Sequence, residues 1–138
     1  MILTRLHLRD FRCHAALELA PGAGVNLLLG GNGAGKSTVL EAIGFLATLS
    51  SFRRAPDASL VRSGEETAVV RGRFVGEAGA VEVEAEIPAR GRRRVLVDGK
   101  RTLGRGDIAG RVALVAFLPD DLDLVKRGPA YRREFVDD

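Results

Sequence analysis

Two kinds of hydrophobic pattern divide the chain. Predominantly apolar runs at residues 25–29 and 112–118 have the length and composition of buried strands. Alternating apolar and polar residues predict half-buried strands elsewhere, and the apolar residues between 39 and 47 recur at helical spacing. The alternating segments are residues 2–8, 15–20, 67–75, 80–87 and 93–97. The pattern therefore predicts strands in two environments and one helix early in the chain.

Turn residues join the later alternating segments into a β-meander. A Gly-Glu-Ala-Gly turn at 76–79 separates two of them, so an antiparallel hairpin is the simplest interpretation. Asp98-Gly99 follows the next segment and is a strong signal for a tight hairpin turn. The predicted meander covers about residues 67–111. Before it, Leu60 and Val61 predict one short helical turn.

A glycine-rich loop lies between the first apolar run and the predicted helix. Residues 30–37, GGNGAGKS, match the phosphate-loop pattern G-x-x-x-x-G-K-[ST]. Glycines let backbone N–H groups converge on phosphate oxygens, and the N-terminus of the following helix adds further donors. Lys36 would place its charge between the β- and γ-phosphates, and the hydroxyl of Ser37 would be a ligand for Mg²⁺. The predicted nucleotide-binding residues here are Gly30, Gly31, Asn32, Gly33, Ala34, Gly35, Lys36, Ser37 and Thr38.

The alternative interpretation of this loop is a glycine-rich turn between a core strand and a core helix, without a ligand. The order strand, glycine loop and helix favours the nucleotide site, because the motif requires that context. ATP with Mg²⁺ is therefore the expected ligand.

Composition narrows the class of protein further. The chain has 138 residues, enough for one domain, and no apolar run approaches the ~20 residues of a membrane span. Its N-terminus alternates rather than forming the apolar core of a signal peptide. The single cysteine, Cys13, cannot form an internal disulfide, which favours a reducing cytosol. We expect its small side chain to be partly buried. His7 and His14 show no metal-ligand spacing and are expected to be ordinary strand or surface residues.

Charge is distributed unevenly, although the net charge is only +3. Residues 89–111 contain eight basic and two acidic side chains. Such a basic strip can neutralise several phosphates and so bind nucleic acid. A solvated surface in an arginine-rich chain is the alternative. Arg53 and Arg54, after the predicted helix, could lie near the phosphates or near DNA, and a solvated loop is the alternative.

The second apolar run ends at Pro119-Asp120-Asp121, which has two interpretations. Apolar residues followed by acids resemble a Walker B strand, whose first acid would hold Mg²⁺ through water. Pro119 breaks the strand, however, and acids in the first turn favour the start of a helix. A further helix is predicted for residues 130–138, with Pro129 at its first turn. The chain ends there without a cap signal, as if cut.

The sequence resembles the N-terminal part of the RecF family, bacterial DNA-repair ATPases related to SMC-type proteins. The resemblance covers essentially the whole chain and is carried by four stretches. These are LHLRDFR at 6–12, the phosphate loop continued by LEAI at 40–43, residues 46–53, and FLPDDL at 117–122 with the residues that follow. Departures include Gly31, where such loops usually carry proline, and Ser37-Thr38, where Thr-Asn is common.

The resemblance implies a P-loop NTPase head of the ABC/SMC type, with an α/β fold and a mixed sheet that includes the β-meander. It places Arg12 close to the bound nucleotide and Pro119-Asp120-Asp121 at the position of the Q-loop. It also implies a signature motif, a Walker B pair and a switch histidine, none of which occurs in residues 1–138. We therefore expect this chain to bind ATP without appreciable hydrolysis.

The function implied by the resemblance is ATP-dependent DNA binding in repair, recombination and replication. The implied partners are single-stranded or gapped DNA, a second copy in an ATP-dependent homodimer, and recombination mediator proteins. Gap repair and the SOS response are the implied processes, and the cytoplasm is the implied location, with no membrane. One alternative is an ABC transporter subunit, which the complete lack of glutamine argues against. The others are another SMC-type DNA-repair ATPase and a basic nucleic-acid module without enzymatic activity.

Overall fold

A six-stranded antiparallel sheet forms the body of the protein. The computed structural model describes residues 1–102 and 104–118. Its strands run in the order β2-β1-β3-β4-β5-β6, and every pairing is antiparallel. The elements are β1 (Ile2–Phe11), β2 (His14–Leu19), α1 (Lys36–Thr48), β3 (Thr67–Gly76), β4 (Gly79–Pro88), β5 (Arg94–Val97) and β6 (Lys100–Thr102), with short 3₁₀ turns at Asp57–Leu60 and Arg105–Asp107. The meander predicted from alternation is thus confirmed.

Both predicted hairpin turns are present. Glu77 and Ala78 connect β3 to β4, and their strands pair from Gly76 and Gly79 outward. Asp98 and Gly99 connect β5 to β6 with φ angles of +51° and +75°. Positive φ at both central residues defines a type I′ turn, whose twist matches that of the flanking strands.

One face of the sheet packs against α1, and this contact forms the core. Strand residues such as Leu6, Leu8 and Phe74 are buried together with Phe45 and Leu46 of the helix. Gly72 lies in the centre of β3, where an added Cβ would stand 2.6 Å from Cδ1 of Leu46. The helix therefore approaches the sheet at a position that lacks a side chain. This packing fixes the N-terminus of α1 beside the turn between β1 and β2.

The apolar runs at residues 25–29 and 112–118 do not form the buried strands predicted for them. Val25 is 99% exposed and Leu29 is 82% exposed, while Val115 is 98% exposed and Phe117 is 77% exposed. Only Val112, at the start of the second run, is buried in the core. A strand is held by hydrogen bonds to a neighbouring strand, and neither segment pairs with a strand of the described sheet. The prediction was wrong because an apolar run indicates that a segment tends to be buried, but it does not identify a strand with which the segment would pair.

The predictions for Pro119-Asp120-Asp121 and for a helix at 130–138 lie outside the described residues. Within the described residues, no helix is long and apolar enough to cross a membrane.

Candidate nucleotide-binding site

The glycine loop bends where glycine is required. Gly33 and Gly35 have φ angles of +84° and +89°, a region that is costly for residues with a side chain. Ala34 N–H donates to the carbonyl of Gly31 at 3.2 Å, which closes a turn inside the loop. Gly35 is the N-cap of α1, so Lys36 and Ser37 are the first two residues of the helix. The loop thus delivers the chain directly into a helix N-terminus.

The loop carries backbone donors that the protein does not use. In the described part of the chain, the N–H groups of Gly33, Gly35, Lys36 and Ser37 donate to no protein acceptor. Lys36 folds back over the loop, and its Nζ donates to the carbonyls of Gly30 at 2.6 Å and Gly31 at 2.7 Å. Free N–H groups around a lysine at a helix N-terminus are the donor set that a phosphate chain needs. The residues present therefore fit a nucleoside triphosphate.

The hydroxyl groups of Ser37 and Thr38 point to different environments. Ser37 is exposed, so its hydroxyl can meet a metal ion at the mouth of the loop. Thr38 is only 7% exposed, and its Oγ1 lies 4.0 Å from Sγ of Cys13. The side chain of Thr38 therefore packs against the protein and not at the mouth of the loop.

The β1–β2 turn supports the loop from behind. Nε2 of His14 lies 3.1 Å from the carbonyl oxygen of Gly35, and a carbonyl only accepts, so Nε2 carries the proton. A Cβ at Gly35 would stand 2.5 Å from Nε2 of His14 and 2.7 Å from Sγ of Cys13. Cys13 is exposed, which corrects the expectation that it would be partly buried. It ends at the surface because it occupies a two-residue turn between strands.

Arg12 is tied to a buried acid that sequence reasoning missed. Its Nη2 donates to Oε1 of Glu41 at 2.8 Å and its Nε to Oε2 at 3.2 Å. Glu41 is fully buried, and it also accepts from Ser51 Oγ at 2.5 Å and from Arg53 Nη1 at 3.4 Å. One sequence signal was available, since Glu41 is the sole charged residue between Lys36 and Arg53. The nucleotide contact predicted for Arg12 stays a prediction.

Internal partners occupy half of the basic strip. Asp57 binds Arg93, Glu86 binds Arg94 and Asp98 binds Arg111, while Arg105 donates to the carbonyl of Thr48 and to the hydroxyl of Ser50. Hydrogen bonds from Arg94 lower the pKa of Glu86. The backbone N–H of Glu82, followed by Arg111, lowers the pKa of Asp98. Glu86 and Asp98 therefore stay ionised at neutral pH. The strip residues that are exposed and make neither an ion pair nor a side-chain hydrogen bond in the described part of the chain are Arg90, Arg92, Lys100 and Arg101.

This fold and this loop define a P-loop NTPase head of the SMC type. The profile of the AAA domain family matches residues 5–112, so the chain belongs to that family. Over its full length it is 44% identical to the DNA replication and repair protein RecF of Acidothermus cellulolyticus and 48% identical to RecF of Frankia alni. It spans 37% and 36% of the lengths of these relatives.

Solved structures agree with this assignment. A structure of the recombination mediator protein RecF with ATPrS, from the RecFOR pathway, superposes with a TM-score of 0.90 at 33% identity. The match covers 99% of this chain and 37% of that one. An SMC ATPase described for its ATP-driven dimerization shares the fold, with a TM-score of 0.80 at 22% identity over 98% of this chain and 97% of its own. The predicted fold class is thus confirmed.

Proposed function

We propose that this chain is the ATP-binding N-terminal part of a RecF-type DNA replication and repair protein. The observation that carries the proposal is the glycine loop, with its unused N–H groups and Lys36 at the N-terminus of α1. The similarity to RecF, which has been solved with ATP, supports the same ligand.

Different residues of the loop would bind different parts of the Mg²⁺-ATP ligand. Backbone N–H groups from Gly33 to Ser37 would bind the phosphate oxygens, and Lys36 would exchange its carbonyl partners for the β- and γ-phosphates. Ser37 would hold Mg²⁺, which neutralises part of the charge of the triphosphate. Arg12 would add positive charge at the flank of the site, within reach of the loop through the β1–β2 turn.

DNA would be the macromolecular partner. Four exposed basic residues of the strip that have no side-chain partner among the described residues, Arg90, Arg92, Lys100 and Arg101, can each contact one phosphate. Single-stranded or gapped DNA, an ATP-dependent homodimer and recombination mediator partners belong to the same proposal, as do gap repair, the SOS response and a cytoplasmic location. Each of these rests on the RecF relatives, of which this chain spans about a third.

The proposal predicts that ATP binding and DNA binding are linked. A fluorescent ATP analogue should bind saturably in the presence of Mg²⁺, and unlabelled ATP should displace it. Labelled gapped DNA, followed by anisotropy, should bind more tightly with ATP than without nucleotide. Saturable ATP binding with no effect on DNA would support a nucleotide site without the repair function. DNA binding without any nucleotide binding would favour the simple basic module.

A second prediction concerns the metal. In Ser37→Ala we expect Mg²⁺ to lose most of its effect on ATP affinity, because the hydroxyl is the ligand that the loop offers. Binding of ATP measured in EDTA should stay close to that of the unaltered protein. Ser63→Ala, at an exposed serine outside the loop, is the control. A full Mg²⁺ effect in Ser37→Ala would remove this serine from the metal site.

A further inference from the structure

One buried carboxylate gathers side chains from three parts of the chain behind the phosphate loop. Glu41 lies on the core-facing side of α1 and has no solvent exposure. Arg12 reaches it from the β1–β2 turn, while Ser51 and Arg53 reach it from the segment that follows α1. Arg12 also donates to the carbonyl of Ser59 at 3.1 Å, which extends the cluster to the first 3₁₀ turn.

The two arginines of the cluster carry more positive charge than the single carboxylate of Glu41 neutralises. A buried carboxylate requires a charged or strongly hydrogen-bonding partner, and Arg12 alone supplies one with two hydrogen bonds. Arg53 adds a second positive charge at 3.4 Å, and the groups of Ser51 and Ser59 are neutral. No other acid pairs with either arginine in the described part of the chain. One unit of positive charge is therefore left over.

This surplus lies beside the loop that is proposed to hold the triphosphate. Glu41 follows Lys36 by five residues, which is about 7.5 Å along a helix axis. The turn that carries Arg12 contacts α1 through Cys13, near Thr38, and the next residue, His14, contacts the loop at the carbonyl of Gly35. Charges at such distances are only partly screened, since the Debye length is about 8–10 Å in ordinary buffers. A more highly charged nucleotide gains more from them.

Stability alone is a weak reason for such a cluster. Replacing buried ion pairs by apolar residues is often neutral or stabilising, and position 41 sits among the apolar residues Ala42 and Phe45. The carboxylate instead fixes the orientation of Arg12, because two hydrogen bonds to one carboxylate set the plane of its guanidinium group. Arg53 remains 42% exposed and so keeps part of its guanidinium group available.

We propose that Glu41 is a positioning residue of the nucleotide site, which holds Arg12 and Arg53 so that their surplus charge favours ATP over ADP. The inference rests on the proposed ATP binding and deepens it. Glu41 itself touches no nucleotide in this proposal; it acts through the two arginines.

The decisive comparison is Glu41→Gln against Glu86→Gln. Each variant raises the net charge by one and takes the carboxylate away from an arginine, but Glu86 lies on the opposite face of the sheet from α1, paired with Arg94. If ATP affinity depended only on net charge, both variants would bind ATP as tightly as the unaltered protein, or more tightly. Positioning predicts that Glu41→Gln loses about tenfold in ATP affinity, with a smaller loss for ADP, while Glu86→Gln is unchanged.

Dissociation constants for Mg²⁺-ATP and Mg²⁺-ADP are measured with the thermal midpoint of each variant. A purely structural Glu41 would lower the midpoint and leave the ratio of ATP to ADP affinity unchanged, which would overturn the proposal. Equal or tighter ATP binding in Glu41→Gln would also overturn it. If the unaltered protein shows no Lys36-dependent binding, the proposed function itself fails together with this inference.

Arg53→Gln provides a test that does not disturb the core. Arg53 is partly exposed, and its removal leaves the Arg12–Glu41 pair in place. We expect a severalfold loss of ATP affinity and a smaller loss for ADP, whereas Arg73→Gln, at an exposed arginine on the face of β3 away from α1, should change neither. If Glu41→Gln does not fold, the comparison of Arg53→Gln with its control tests the proposal. An unchanged ATP affinity in Arg53→Gln would contradict the surplus-charge argument.

Discussion

Lys36→Ala is expected to abolish measurable binding of Mg²⁺-ATP. Lys36 is the charged group of the loop, and its Nζ donates hydrogen bonds to the carbonyl oxygens of Gly30 at 2.6 Å and Gly31 at 2.7 Å. Removing one partner of a desolvated charge contact costs about 2–5 kcal/mol, which is a loss of about thirtyfold to several thousandfold in affinity. Titration of a fluorescent ATP analogue measures the effect directly.

Lys100→Ala is the matched control for this substitution. Lys100 is exposed at the hairpin between β5 and β6, so the same charge is lost far from the loop. We expect its ATP affinity to stay within about twofold of the unaltered protein, since an exposed distant charge is screened. Equal binding by Lys36→Ala and Lys100→Ala would show that residues 30–37 are a structural turn without a phosphate site.

The parts of the fold that depend on neighbouring residues were predictable. The helix after the loop and the hairpin at Asp98-Gly99 follow from periodicity and from turn chemistry within a few residues. The same is true of the phosphate loop, where Gly33 and Gly35 adopt the positive φ angles that their residue type allows. In each case residues within or next to the element supply the signal that predicts it.

The parts that depend on distant partners were not predictable from pattern. An apolar run at residues 25–29 indicates burial, but a strand needs a hydrogen-bonded neighbour, and this segment pairs with no strand of the described sheet. Arg12 and Glu41 are 29 positions apart, and His14 and Gly35 are 21 apart, so no local rule connects them. Cys13 and His14 look isolated in the sequence for the same reason, although together they support the loop.

Gly35→Ala is expected to destabilise the protein more than Gly33→Ala, although both glycines have nearly the same backbone conformation. The φ angles of +84° and +89° impose a similar penalty on alanine, about 1–2 kcal/mol. At Gly33 an added Cβ meets no atom within 4 Å, whereas at Gly35 it meets His14 at 2.5 Å and Cys13 at 2.7 Å. Overpacking of this kind costs about 1–3 kcal/mol in addition.

The pair of alanine variants therefore separates backbone strain from contact with the β1–β2 turn. Urea unfolding without nucleotide, followed by circular dichroism, should show a loss of about 1–2 kcal/mol for Gly33→Ala and about 2–5 kcal/mol for Gly35→Ala. His14 can swing aside to make room, but it then gives up its hydrogen bond to the carbonyl of Gly35. In the Gly35→Ala background, His14→Ala should for that reason recover part of the stability. Equal losses in the two single variants would mean that the turn does not support the loop, and that the glycine at position 35 serves the backbone alone.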